Sequence, residues 1–243
     1  ASGWRLASAV SNAGALGIIG AGSMYPDILR EHVQKCKAAT SRPFGVNVPL
    51  LYPDMDKLMQ VLLEEEVKIV FTSAGNPKTW TGILKEKGIT VVGIPVIAAG
   101  GIADGRLMLA AMVLGAEGVQ VGTRFVASVE ASSHPAFKDR VIHSEEGDTQ
   151  LSMKKLVPVR LIRNAFFDQI SAAEQRGAEA SELKEILGRA RAKKGMFEGD
   201  LDAGELEIGQ VSALVKEILP AEEIVRILWK GFLDASANPF KIV

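Results

Sequence analysis

Short apolar runs alternate with amphipathic stretches through the first half of the chain. The runs open at Leu16 (LGIIGAG), Pro43 (PFGVNV), Ile69 (IVFTSAG), Ile94 (IPVIAAGG) and Gly118 (GVQVGTR), and successive starts lie 24 to 27 residues apart. Strands that are apolar on both faces and alternate with helices predict a parallel sheet covered on both sides. After Pro53, the positions Met55, Leu58, Met59 and Leu62 recur at i, i+3, i+4 and i+7, which predicts one buried helical stripe. Leu29, Val33 and Cys36 share a face in a helix starting at Pro26. Asp104 stands where an N-cap belongs before Leu107, Ala111 and Leu114, and Gly115 suits the left-handed position after that helix.

From about Ser128 this rhythm stops and helical patterns take over. Leu156 to Ile170, Glu182 to Ala192, Ile208 to Ile218 and Ala221 to Phe232 read as helical, with FEGDLDAGELEIG (Phe197 to Gly209) as a Gly- and acid-rich connection. The chain thus divides into a parallel-sheet part, residues 1–127, and a mainly helical extension, residues 128–243. Five strand-helix units leave the topology open, since a closed parallel barrel needs eight strands and an open doubly wound sheet manages with five.

Composition narrows the class. The 243 residues carry 28 Lys+Arg against 29 Asp+Glu and are 47% hydrophobic, which excludes collagen, coiled-coil and disordered chains. A net charge of −1 gives no global attraction to nucleic acid. Cys36 is the only cysteine, which excludes zinc ribbons and disulfide scaffolds and predicts a core thiol in a reducing, cytoplasmic setting. The longest uncharged stretch, Leu6 to Pro26, is diluted by Gly14, Gly17, Gly20 and Gly22, so no membrane-spanning helix is expected there. The chain opens on Ala1, directly into a helical pattern, and is expected to start downstream of its gene's own beginning.

Candidate chemistry gathers at strand ends. Gly100 and Gly101 close one strand just before the helix at Asp104, and Gly122 and Thr123 close the next. Such glycines let backbone N–H groups approach an anion, a helix N-terminus adds its dipole, and a threonine hydroxyl can donate once more. Two such loops in successive units point to a phosphate; tight turns alone are the alternative. Asn47 and Gln120 interrupt apolar strands, and Ser73 closes another with Gly75. A buried amide without a partner costs about 1–3 kcal/mol, and the polar edge of a flat cofactor ring would supply one.

There is no hydrolase motif, no Walker loop and no metal-ligand spacing. Of His32, His134 and His143, only His134 lies near a strand's carboxyl end. Two basic groups, Lys154, Lys155, Arg160 and Arg163, then Arg189, Arg191, Lys193 and Lys194, read as solvated helix faces or as a docking surface for an acidic partner.

In this order LASAVSNAGALGIIGAGSM, RPFGVNVPLL, TSAGNPKTW, PVIAAGGIADG, LGAEGVQVGTRF and GDLDAGELEIGQV resemble the type II, flavin-dependent enoyl-acyl carrier protein reductases of bacterial fatty-acid synthesis. These belong to the nitronate monooxygenase / 2-nitropropane dioxygenase-like superfamily. The resemblance implies an α/β fold, a (β/α)8 TIM barrel with a C-terminal helical extension, usually a homodimer. It implies FMN, NADPH or NADH as co-substrate, and acyl carrier protein as the partner that brings the substrate; it leaves open a monovalent cation. It places the FMN phosphate on Gly100, Gly101, Gly122 and Thr123, the flavin against Asn47 and Gln120, and Gln210 near the substrate pocket. Nitronate oxidation on the same fold and a non-redox phosphate-binding barrel are the rival readings.

The sequence also departs from this family. It lacks the family's first strand, and no Gly-Gly-His loop, the source of its usual catalytic histidine, occurs anywhere. Ile89 to Val92 run straight into Gly93 and Ile94, so a strand and its connections are expected to be missing near residues 90–91. The catalytic residue is therefore left unassigned.

Overall fold

The computed structural model describes residues 2–22, 24–51, 54–92 and 97–239. Helix α1 (Trp4–Asn12) leads into β1 (Gly17–Gly20), then α2 (Pro26–Ala39), β2 (Phe44–Pro49), α3 (Met55–Glu64), β3 (Ile69–Ser73), α4 (Lys78–Glu86) and β4 (Thr90–Val92). Strands β1 to β4 form one parallel sheet in chain order, and its register sets Gly20, Asn47, Phe71 and Val92 in one row. A second parallel pair, β5 (Ile97–Ala99) and β6 (Gly118–Gln120), flanks α5 (Gly105–Val113) and sets Ala99 beside Gln120.

The alternation along each strand decides what faces what. Ile19, Val46, Val48 and Val70 are buried against Leu29, Val33 and Cys36 of α2 and Leu58, Met59 and Leu62 of α3. The in-between positions Asn47 and Phe71 line a cavity on the other face. The stripe expected after Pro53, itself outside the described residues, is thus the core face of α3. Burial pushes the Cys36 thiol up to about 11, which leaves it an inert core group at neutral pH. Asp104 caps α5 by accepting from the Leu107 N–H at 2.8 Å, and Gly115 adopts φ +99°.

The two parallel sheets share no ladder, so the described residues do not close an eight-stranded ring. The connection explains one break. Only residues 93–96 separate β4 from β5, whereas two adjacent parallel strands need a crossover of about a dozen residues or more. The gap expected near residues 90–91 is corrected at its position: Thr90, Val91 and Val92 form one strand in register with Ile69, Val70 and Phe71. The apolar run expected to start at Ile94 is described from Ile97, and Gly93 to Val96 lie outside the described residues.

Beyond β6 come α6 (Thr123–Val126), α7 (Pro135–Ile142), β7 (Thr149–Ser152), β8 (Val159–Ile162), α8 (Ala165–Gln175), α9 (Ala180–Leu187), α10 (Arg191–Met196), a 3-10 turn (Gln210–Leu214) and α11 (Ala221–Ala237). The helical reading of Leu156 to Ile170 holds only for its second half. Pro158 disfavours helical backbone at Val157 and brings no N–H of its own, and Val159 to Ile162 pair antiparallel with β7 instead. The helix starts after Asn164, whose side chain accepts from the Phe167 N–H at 2.8 Å. Glu182 to Ala192 is likewise interrupted, by Gly188 (φ 65°) and Ala190 (φ 57°). Ile208 to Ile218 makes one 3-10 turn and an extended run that ends in a parallel bridge between Ser128 and Leu219.

Helix α11 returns to pack on α5 and α1. A Cβ on Gly105 would come within 2.2 Å of the Gly231 carbonyl carbon, so this crossing admits only glycine there. Among the described residues no helix is long and apolar enough to cross a membrane.

Candidate functional site

Between the two sheets lies a cavity of about 1000 Å³, at the upper end for small-molecule sites. Asn47 and Phe71 reach it from the first sheet, Ile97 and Gly118 to Gln120 from the second, and Val225, Leu228 and Trp229 from α11. The lining is mostly apolar. Neither the Asn47 nor the Gln120 side-chain amide makes a hydrogen bond among the described residues, although both border the cavity. Asn47 is half-buried and Gln120 exposed at the cavity's edge, so both amides are free to meet the polar edge of a ligand there. Phe71, in register with Asn47, was not singled out by sequence; its phase two residues before Ser73 is the signal that puts it on this face. Ser73 ends β3, and its carbonyl accepts from the Leu50 N–H at 2.8 Å.

The two glycine loops leave adjacent strand ends, since Ala99 pairs with Gln120. Gly100 and Gly101 hold φ +89° and +73°, conformations that favour glycine, and nothing lies within 4 Å of a Cβ built on either or on Gly122. Both loops therefore border open space, which leaves room for an anion beside their backbone. The α5 N-terminus contributes less than its position suggests, because the Asp104 carboxylate already occupies it. On the second loop, the Thr123 hydroxyl oxygen accepts from the Gly209 N–H at 3.2 Å, which brings Gln210 beside that loop. Gln210 is exposed and does not border the cavity.

The histidines serve the scaffold. His32 Nδ1 accepts from the Trp4 N–H at 3.1 Å, and burial lowers its pKa. His134 caps α7 by accepting from the Ala136 N–H and sits against Gly199. His143 lies at the far end of α7, its Nδ1 2.8 Å from the Asp139 carbonyl. The basic groups are also largely committed. Arg191 donates to the carbonyls of Ile186, Leu187 and Ala203 and stacks over Phe166 at 4.8 Å. Lys193 pairs with Glu198, Lys194 with Asp200 and Lys155 with Glu179, while Arg160 donates to the Thr149 carbonyl. Near Arg191, Glu205 is 6% exposed; burial, then the neighbouring Glu207, pushes its carboxyl up to about 7 against the pull of Arg191.

A parallel-sheet α/β chain with its polar groups at the carboxyl ends of the strands has the form in which such enzymes bind ligands. This chain belongs to the nitronate monooxygenase family, whose profile matches residues 1–82 and 72–231, and is an oxidoreductase. Within it the chain is similar to FabK from Thermotoga maritima, at TM-score 0.91 and 36% identity over 98% of this chain and 91% of that one. A nitroalkane oxidase from Streptomyces ansochromogenes shares the fold at TM-score 0.82 and 22% identity, over 97% of this chain and 93% of its own. A (3aS,4S,5R,7aS)-5-hydroxy-7a-methyl-1-oxo-octahydro-1H-indene-4-carboxyl-CoA dehydrogenase of Mycobacterium tuberculosis is 24% identical over 311 residues, covering 92% of this chain and 88% of the relative. That alignment is longer than the 243 residues here, so the relative carries stretches this chain lacks. A probable nitronate monooxygenase of Staphylococcus aureus is 47% identical over 89 residues, 35% of this chain and 24% of its own.

Proposed function

We propose that this chain is an FMN-dependent reductase of trans-2-enoyl thioesters, taking its substrate on acyl carrier protein and its hydride from NADH or NADPH. The observation that carries the reading is a cavity bordered by both amides and by Gly122, with the open Gly100–Gly101 loop at the adjacent strand end, in a chain similar to FabK along 98% of its length. Gly100, Gly101, Gly122 and Thr123 would hold the phosphate of FMN, and Asn47 and Gln120 its ring edge. When bound, FMN supplies the hydride chemistry, accepting from the nicotinamide and delivering to the β-carbon of the enoyl group. The chain's own residues would bind and orient: Asn47 and Gln120 would hydrogen-bond the polar edge of the ring, and Phe71 and Ile97 would help keep water out of the cavity. Protonation of the α-carbon is not assigned to a histidine, because His32, His134 and His143 all stand outside the cavity. On this reading residues 1–127 are the FMN-binding part, residues 128–243 the extension, and the cytoplasmic assembly a homodimer.

The test is a steady-state assay of flavin-loaded protein with a trans-2-enoyl thioester against an alkyl nitronate under oxygen. Turnover of the thioester with NAD(P)H supports the reductase. Exclusive turnover of the nitronate establishes the second reading, which the family profile's own description favours. Protein that retains no flavin absorbance after reconstitution overturns both and leaves a non-redox phosphate binder.

A further inference from the structure

The extension meets the second glycine loop at the Thr123 hydroxyl. Its connection runs as a strand beside β8: the Ile162 N–H donates to the Leu206 carbonyl at 3.0 Å and the Ile208 N–H to the Arg160 carbonyl at 3.1 Å. Leu206 and Ile208 are buried with Phe137, Val141 and Val215, so this run is anchored on both sides. The next residue, Gly209, presents its N–H to the Thr123 hydroxyl oxygen at 3.2 Å. A Cβ on Gly209 would stand 2.6 Å from that same oxygen, and the next nearest atoms lie 3.9 Å away or more. The room reserved by this glycine is the room of one hydroxyl.

That contact has a chemical consequence. A hydroxyl has one proton to donate and two lone pairs. Accepting from Gly209 uses one lone pair and turns the proton away from Gly209. It also polarises the O–H bond, so that the group becomes a better donor to an anion.

We propose that Gly209 is a positioning residue for the anion site: it holds the Thr123 hydroxyl in the rotamer that donates to the phosphate of the cofactor. This rests on the reading that FMN occupies the site. Gly209→Ala should push the Thr123 side chain to another rotamer and leave the backbone in place, because the clash falls on one rotatable side-chain atom.

The experiment measures binding of FMN and of riboflavin, which has the same ring and no phosphate, to the parent, Gly209→Ala, Thr123→Val and the double variant. Gly209→Ala should weaken FMN by about tenfold, the scale of one charge-assisted hydrogen bond, and leave riboflavin affinity and the thermal midpoint unchanged. In the Thr123→Val background the same change should have no further effect. A parent that binds FMN while Gly209→Ala loses none, or loses FMN and riboflavin equally, overturns the positioning role alone. A parent that binds neither overturns the FMN reading and this inference with it.

Discussion

The parallel-sheet part and the extension are held together by different means. In the first, one apolar cluster runs from Ala7 to Ile89, filled by valines, leucines and isoleucines from strands and helices at regular spacing. In the second, two smaller apolar clusters lie around Phe166 and around Phe137, and cations donate to backbone carbonyls of the connections about them. Lys138, 7% exposed, donates to the Ser128 and Val129 carbonyls at 2.6 and 3.2 Å. Lys216 reaches the Ser144 carbonyl, Arg124 that of Glu217, and Arg191 three at once. Irregular connections leave carbonyls without ladder partners, and a buried carbonyl must be answered by some donor. Long cationic side chains do this across gaps that backbone cannot span, so the same residue types that look like a solvated face act here as cross-links.

By this contrast, a cation in the extension that donates to several carbonyls is worth about as much as a leucine in the sheet part. Leu62→Ala, at a fully buried position, should cost about 2–5 kcal/mol in urea denaturation. Arg191→Met should cost roughly 2–4 kcal/mol, because it leaves three carbonyls unanswered. An Arg191 variant as stable as the parent would break the comparison.

The seam between the regions is tested by Thr123→Val, expected to weaken FMN retention by about 1.5–3 kcal/mol while the fold persists. Equal flavin content in variant and parent after dialysis would remove Thr123 from the site.

Glu205 sharpens the contrast through pH. Its folded-state pKa of about 7 lies above the ordinary 4.5, so the protonated form favours folding. That stability is fully present below pH 4.5 and is lost as pH rises through 7. Thermal midpoints should therefore fall between pH 5 and 8, by the equivalent of roughly 1–3 kcal/mol. Glu205→Gln should flatten that slope; an unchanged slope means another group sets it.

The smallest effect is expected where exposed lysines pair with single carboxylates. Lys193→Ala and Lys194→Ala break the pairs with Glu198 and Asp200 and should cost no more than about 1 kcal/mol each, against the larger loss at Arg191 two and three residues away. If they also leave turnover of carrier-bound and small thioesters equal, the patch does not dock the carrier.

Much of this division was readable in the chain itself. All five expected apolar runs became parallel strands, Asp104 became an N-cap and Cys36 a core thiol, because each depends on local periodicity or on a group three residues away. The family was readable as well, from motifs that stay together in sequence. Tertiary structure alone decided the rest. Val159 to Ile162 became a strand because β7 offered a partner, and His134 became a cap because Gly199 left space for its ring. Arg191 and Lys138 were turned inward by carbonyls that lie far along the chain or in irregular backbone, and no periodicity encodes those. The same holds at the candidate site: the glycine loops can be seen in sequence. That Gly209, 86 residues on, holds the Thr123 hydroxyl follows only from packing, which brings distant segments within hydrogen-bond reach.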